Sequence, residues 1–167
     1  MTLISLFRLL KISLTNQQQN NIQLKSKDTK TMEKITVSTT VNAPIEKVWD
    51  SWTNPKHIVN WNAPSDDWHT PFAENDLKTG GKFKSTMAAK DGSMSFDFEG
   101  AYTVVENHEK IEYKIADGRE VIVLFDDLGD RVKITESFDP ENVNPLEMQK
   151  GGWQVILDNF KKYTESN

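Results

Sequence analysis

The sequence predicts an α+β layer in which a bent antiparallel sheet of about seven strands grips a long C-terminal helix, with two short helices after strand one. Three observations carry this. Between residues 67 and 139 apolar residues recur with a period of two, interrupted by the turn signals TGGK, KDGS, ADGR and LGDR. Near residue 148 the period changes to that of a helix and keeps it to the end. Helical signals also separate the first strand from the rest of the meander.

Strand one is KITVSTTV, where Ile35, Val37, Thr39 and Val41 alternate with polar residues as on a half-buried strand. NAPIEKVWDSWTNP follows, with Asn42 as the expected N-cap, Pro44 in the first turn, and Ile45, Val48, Trp49 and Trp52 at helical spacing. Asn54 and Pro55 end that helix, and PKHIVNW predicts a second one with Ile58 and Trp61 on one side. The remaining strands are expected at about 67–73, 82–90, 94–106, 110–117, 119–127 and 131–139. In the last helix Trp153, Ile156, Leu157, Phe160 and Lys161 form one stripe, which Met148 extends, while Asp158 and Lys162 face water. Gly151 and Gly152 cost that helix roughly 1 kcal/mol each relative to Ala. They therefore mark a close backbone approach, a bend that lets the helix act as a gate, or simply a helix that starts at Gly152.

The 167 residues supply apolar material for one core, so a single domain is expected over residues 32–167. There is no cysteine, which excludes disulfides, Cys-ligated zinc, iron–sulfur clusters and thiol nucleophiles, and suits a reducing cytoplasm. Residues 1–31 hold Arg8, Lys11, Lys25, Lys27 and Lys30 against Asp28, a net of +4, which leaves −9 of the total −5 on residues 32–167. An acidic domain without a basic stripe is a poor partner for nucleic acid. The opening MTLISLFRLLKISLT is interrupted by Arg8 and Lys11 and falls short of the roughly 20 apolar residues of a membrane span. It also lacks the layout of a secretory signal, and NQQQNNIQLKSKDTKT after it has the composition of a disordered linker. Residues 1–31 thus read as a disordered surface-associating tail, or as a non-native extension ahead of a start at Met32. The intact mass of the protein from its own cells separates these two readings.

Strand parity predicts what lines the interior. Phe83 and Met87, then Met94, Phe96, Phe98 and Tyr102, then Ile111, Tyr113 and Ile115, then Val121, Val123 and Phe125 each share a face, opposite Lys82, Lys84, Asp97, Glu99, Glu112 and Lys114. A filled core explains any one of these aromatic residues, whereas the group on a curved sheet can frame a pocket. In RVKITESFD, Val132, Ile134, Glu136 and Phe138 share a parity, so a carboxylate stands where an apolar side chain is expected. Either a bulge or strand end turns Glu136 to solvent, or it points inward and fixes the polar end of a ligand. In DDWHTP, Asp67 and His69 point away from Trp68 and Thr70 and have the form of a general-base pair. No G-x-S-x-G elbow or cysteine supplies a nucleophile beside them. His57, His69 and His108 show no metal-ligand spacing, so no catalytic residue, metal or cofactor is assigned.

Taken in order, APIEKVWDSWTNPKHIVNW, DDWHTP, GGKF, DGSMSFDFEGAYTVV and GGWQVILDNFKKY resemble the START-like (SRPBCC) superfamily. Within it the chain is most similar to the branch related to the C-terminal domain of the activator of heat-shock protein 90 ATPase, from about residue 33 to the end. The resemblance implies a helix-grip fold with a cavity between sheet and C-terminal helix, which in relatives admits lipids, hydrophobic hormones or polyketides. The co-chaperones of that branch carry a further N-terminal domain, for which residues 1–31 are too short. The leading expectation is a non-enzymatic, cytoplasmic binder of a small hydrophobic molecule, with Trp61, Trp68, Met87, Phe96, Phe98, Tyr113, Phe125, Glu136, Trp153 and Leu157 around the ligand. The alternatives are a cyclase- or hydrolase-like enzyme using Glu136 or His69 as acid/base, and a protein-binding module with a chaperone partner, the latter implied by the resemblance alone.

Overall fold

A computed structural model describes residues 33–167, so the readings of residues 1–31 and of Met32 lie outside the described residues. Strand β1 (Ile35–Val41) is followed by helices α1 (Ile45–Thr53) and α2 (Pro55–Trp61). A meander comes next: β2 (Trp68–Asn75), β3 (Lys82–Ala89), β4 (Ser95–Glu106), β5 (Lys110–Ile115), β6 (Glu120–Asp127) and β7 (Val132–Phe138). Helix α3 (Leu146–Ser166) closes the chain. Both short helices and all seven strands stand where the hydrophobic period places them, within about two residues at each end.

The strands form one antiparallel sheet in the order β1-β7-β6-β5-β4-β3-β2, so the first strand returns to pair with the last. The sheet curls. Register shifts between Tyr102 and Val104 on β4, and between His69 and Phe72 on β2, add local twist, the latter at Pro71, which has no N–H to give to a ladder. Gly100 on β4 allows a tight crossing, since a Cβ there would run into the Lys114 carbonyl and the Phe83 ring. At the β5–β6 turn Gly118 takes φ 90°, which Asp117 supports by accepting from the Arg119 N–H at 3.1 Å.

Two local expectations are corrected. Asn42 is not the N-cap of α1: Pro44 holds that position without a side-chain bond, and Asn42 gives both its backbone and side-chain N–H groups to Glu165 at 2.7 and 2.9 Å. The long-range carboxylate wins because Pro44 already sets an extended entry and needs no donor. Nor does α3 start at Gly152, since it runs through both glycines from Leu146. Gly151 has open space around it and Gly152 is buried.

Helix α3 packs chiefly on β1, α1 and α2. Leu157 and Phe160 are fully buried there, and the Phe160 ring sits edge-on to Trp52 and Trp61, with centroids 4.8 and 5.0 Å away. Such a ring contributes through apolar area and through its paired geometry. Phe160→Ala should therefore destabilise the protein by about 3–5 kcal/mol, and Leu124→Ala, on the outer face, by less than about 0.5 kcal/mol. Urea unfolding midpoints of the two variants check this.

Candidate functional site: a cavity under the C-terminal helix

Beyond the strands that α3 covers, the curl of the sheet leaves a cavity of about 160 Å³. Its floor is β3 to β5: Phe83, Ser85 and Met87, then Phe96, Phe98 and Tyr102, then Ile111, Tyr113 and Ile115. The helix side supplies Gln149, Gly152, Trp153, Ile156 and Leu157, and one end is closed by Trp52, Ile58 and Trp61. Phe83 is the hub of the floor, its centroid 5.9 Å from Phe98, 5.2 Å from Tyr102 and 4.9 Å from Tyr113. Trp153 forms the roof, stacked on Phe138 at 4.0 Å and edge-on to Phe98 at 6.3 Å. It follows Gln149 by one turn, and the buried Gly152 beside it is also on the lining.

Among the residues expected around a ligand, Trp61, Met87, Phe96, Phe98, Tyr113, Glu136, Trp153 and Leu157 line this cavity. Trp68 and Phe125 do not. Trp68 lies beside Met87 and Phe96 in a small separate cluster and is buried there. Phe125 faces inward as parity requires, but Trp49 and Trp52 cover it edge-on at 5.1 and 5.6 Å. Both corrections have one cause: parity sets the face of the sheet, and only the position of α1 and α2 decides which part of that face is filled.

Glu136 points inward. Strand β7 is paired on both sides without a register shift, with Glu136 opposite Val37 on β1 and Val123 on β6, so no bulge is present to rotate it. Its side chain is 6% exposed. Burial pushes its carboxyl up to about 8 from an ordinary 4.5, and the hydrogen bond donated by Tyr113 pulls only weakly the other way. The Tyr113 phenol is itself raised well above its ordinary value, by burial first and then by the Glu136 charge. A neutral carboxylic acid therefore sits in an aromatic cavity at neutral pH, poised to give or take a proton within reach of an occupant.

Several other polar groups of the wall are tied to the protein. Tyr102 donates to Asn75 at 2.8 Å, and Asn75 donates to the Thr53 carbonyl at 2.6 Å, which fastens β4 and β2 to the end of α1. Buried Glu141 accepts from the backbone N–H and the side chain of Asn144 at 2.9 and 2.7 Å, and Gln149 clasps the same loop through the Glu141 N–H and the Asn144 carbonyl. Arg119 reaches the lining from the β5–β6 turn and is paired with Asp117 at 2.8 Å. Sequence reasoning did not assign Asn75, Arg119, Glu141 or Gln149. Only Gln149 left a signal, because it continues the α3 stripe four residues before Trp153.

Asp67 and His69 are exposed on the far side of β2, as parity required, and neither lines the cavity. His69 is thus not brought to Glu136. Among the described residues no three His, Asp or Glu side chains form a metal-binding group, and no helix is long and apolar enough to cross a membrane.

The raised carboxyl has a consequence for stability. Below pH 4.5 both the folded and unfolded chains hold the Glu136 proton; between 4.5 and about 8 the folded chain keeps it and the unfolded chain releases it. Glu136 therefore lowers stability progressively as pH rises through that window, on the order of 3 kcal/mol by pH 7. Glu136→Gln should raise the urea midpoint at pH 7 and flatten its decline between pH 5 and 8. An identical pH dependence in the two proteins would show that the carboxyl is not held neutral.

Comparison with known proteins agrees with this geometry. The family described as Activator of Hsp90 ATPase homolog 1-like protein matches residues 42–165. The solution structure of an AHSA1-like protein from Aeromonas hydrophila is 43% identical, covers 79% of this chain and 93% of its own, and superposes with a TM-score of 0.73. A protein of Cytophaga hutchinsonii, also solved in solution, is 58% identical over 80% of this chain and 93% of its own, with a TM-score of 0.70. A crystal structure from Nitrosomonas europaea shares the fold at 16% identity, covering 80% of this chain and 95% of its own, with a TM-score of 0.68. A search of curated proteins finds no match. A curled seven-strand sheet closed by a long C-terminal helix, two short helices after strand one, and a family match over most of the chain lead to one conclusion: the protein belongs to the Activator of Hsp90 ATPase homolog 1-like family of the START-like superfamily.

Proposed function

We propose that the protein binds a small, mainly apolar molecule with a polar end in the cavity between the sheet and α3. The observation that supports this most is Glu136, a carboxyl turned into an aromatic cavity with Tyr113 as its hydrogen-bond partner. Leaving a polar group there costs stability, and a core selected for stability alone would place an apolar residue on β7. Affinity would come from apolar burial, at roughly 25 cal/mol per Å², and orientation from the carboxyl. The proposal includes a cytoplasmic setting, which suits a chain without cysteine.

A second reading, general acid–base catalysis in the same cavity, is favoured by the Glu136 value of about 8, close to the pH at which such a group transfers protons best. It has neither a histidine nor a cysteine on the cavity lining to work with, so proton transfer by Glu136 would have to carry the chemistry. A chaperone partner is supported by the family description; the exposed large apolar residues Phe72, Leu124, Leu128, Val143 and Leu146 are spread over β2, β6, the β6–β7 turn and the approach to α3.

Native mass spectrometry of freshly purified protein should show an added small-molecule mass that solvent extraction removes. Ile156→Trp, which places an indole in the cavity, should abolish it while the circular dichroism spectrum stays unchanged. An added mass retained equally by Ile156→Trp would place the ligand elsewhere. A chain that is always empty, and that takes up no small aromatic probe, would count against the proposal.

A further inference from the structure

We infer that the molecule this cavity selects carries a cationic amine on a compact apolar body, with its ammonium against Glu136 and its body among the aromatic rings. The inference rests on the small-molecule reading above and narrows its chemical class.

The polar inventory of the wall points this way. Several of its donors are spent within the protein: Tyr113 on Glu136, Tyr102 on Asn75, the Trp61 indole on the Ser51 carbonyl at 2.9 Å, and Gln149 on the Glu141 and Asn144 carbonyls, while the Ser85 hydroxyl and the outer N–H groups of Arg119 also reach the lining. Oxygen lone pairs remain. Once its proton is displaced, Glu136, with Tyr113 as a side-chain hydrogen-bond partner, has acceptor capacity to spare on its carboxylate oxygens. An ammonium, which has three donors and no acceptor, is complementary to an ionised Glu136, and a ligand carboxylate set against that same group is not.

The rings add to this. Phe83, Phe98, Tyr102, Tyr113 and Trp153 surround the same space, and aromatic faces attract cations most strongly where water is excluded. Charge is consistent at two ranges. Arg119 is the one basic side chain on the lining, and its Nε is committed to Asp117 at 2.8 Å, while residues 32–167 carry a net −9 that draws cations toward the domain. A lone cation would not enter a mainly apolar cavity, but an ammonium beside an ionised Glu136 enters as a neutral pair. Entry of the amine displaces the carboxyl proton to solvent, which leaves one negative and one positive charge inside.

Size limits the body. About 160 Å³ is close to the roughly 150 Å³ engineered cavity that holds benzene, so one ring or a short branched chain fits without rearrangement.

The test uses residues 1–167 and four single-ring probes at pH 7: 2-phenylethylamine, 2-phenylethanol, phenylacetate and toluene. Binding is followed by two-dimensional NMR titration. The amine is expected to bind at least about tenfold more tightly than the alcohol. Glu136→Gln should remove that preference, and a dispersed NMR spectrum like that of the unmodified chain shows that the variant is folded. The preference within the unmodified chain stands as a test whatever the variant does. Toluene binding together with an alcohol or carboxylate that equals the amine would overturn the inference and leave the cavity reading intact. Failure of all four probes, toluene included, would overturn both.

Discussion

One helix cannot cover a seven-strand sheet. An α-helix with its side chains is about 10–12 Å across, and neighbouring strands lie about 4.8 Å apart, so α3 can seal little more than two strands' width. The protein meets this constraint in two ways. It curls the sheet around the helix through the irregularities at Tyr102/Val104 and His69/Phe72, and it spends α1 and α2 on the β6 end, where Trp49 and Trp52 fill what α3 leaves open. On β3 to β5 neither device closes the gap. The aromatic residues there prop against one another, with Phe83 at their centre, and a cavity remains.

That geometry explains why a carboxyl on β7 has such weight. In a filled core Glu136 would be an error; beside a cavity it is a polar group with somewhere to point. The unbroken ladders on both sides of β7 prevent the strand from turning it out, and the aromatic surroundings keep water from stabilising its charge. Under the proposed function, the stability Glu136 costs at neutral pH is exchanged for a group able to recognise or transfer a proton. The neighbouring polar side chains show the contrast. Glu141, Asn144 and Gln149 are as buried as Glu136, yet each is satisfied by backbone and side-chain bonds in a closed loop, so they hold the start of α3 in place and offer nothing to an occupant.

The fold was legible because hydrophobic period is a local property. Alternation along KITVSTTV and through the meander, and the i, i+3, i+4 stripe on α3, each follow from a few consecutive residues. Glu136 was legible for the same reason, as a charged residue on the apolar parity of β7, although its direction depended on whether a bulge intervened. Asn42 was misread because a cap is chosen by competition: a carboxylate from the far end of the chain, Glu165, outbid the local role that spacing suggested. Asn75, Arg119 and Glu141 gave no signal, since the first is the last residue of β2 and the other two lie in loops, where position in space is set by the turns.

The sequence by itself determined which residues face inward, because strand parity and helical spacing follow from backbone geometry one residue at a time. Only the tertiary structure decided which inward residues meet an empty space. Trp68 and Phe125 share the parity of Met87 and Tyr113, yet the first is packed beside Phe96 and the second lies beneath two tryptophans, while Met87 and Tyr113 border the cavity. The difference is made by where three helices come to rest on a curled sheet, a sum of contacts between segments distant in sequence, and no local pattern encodes that sum.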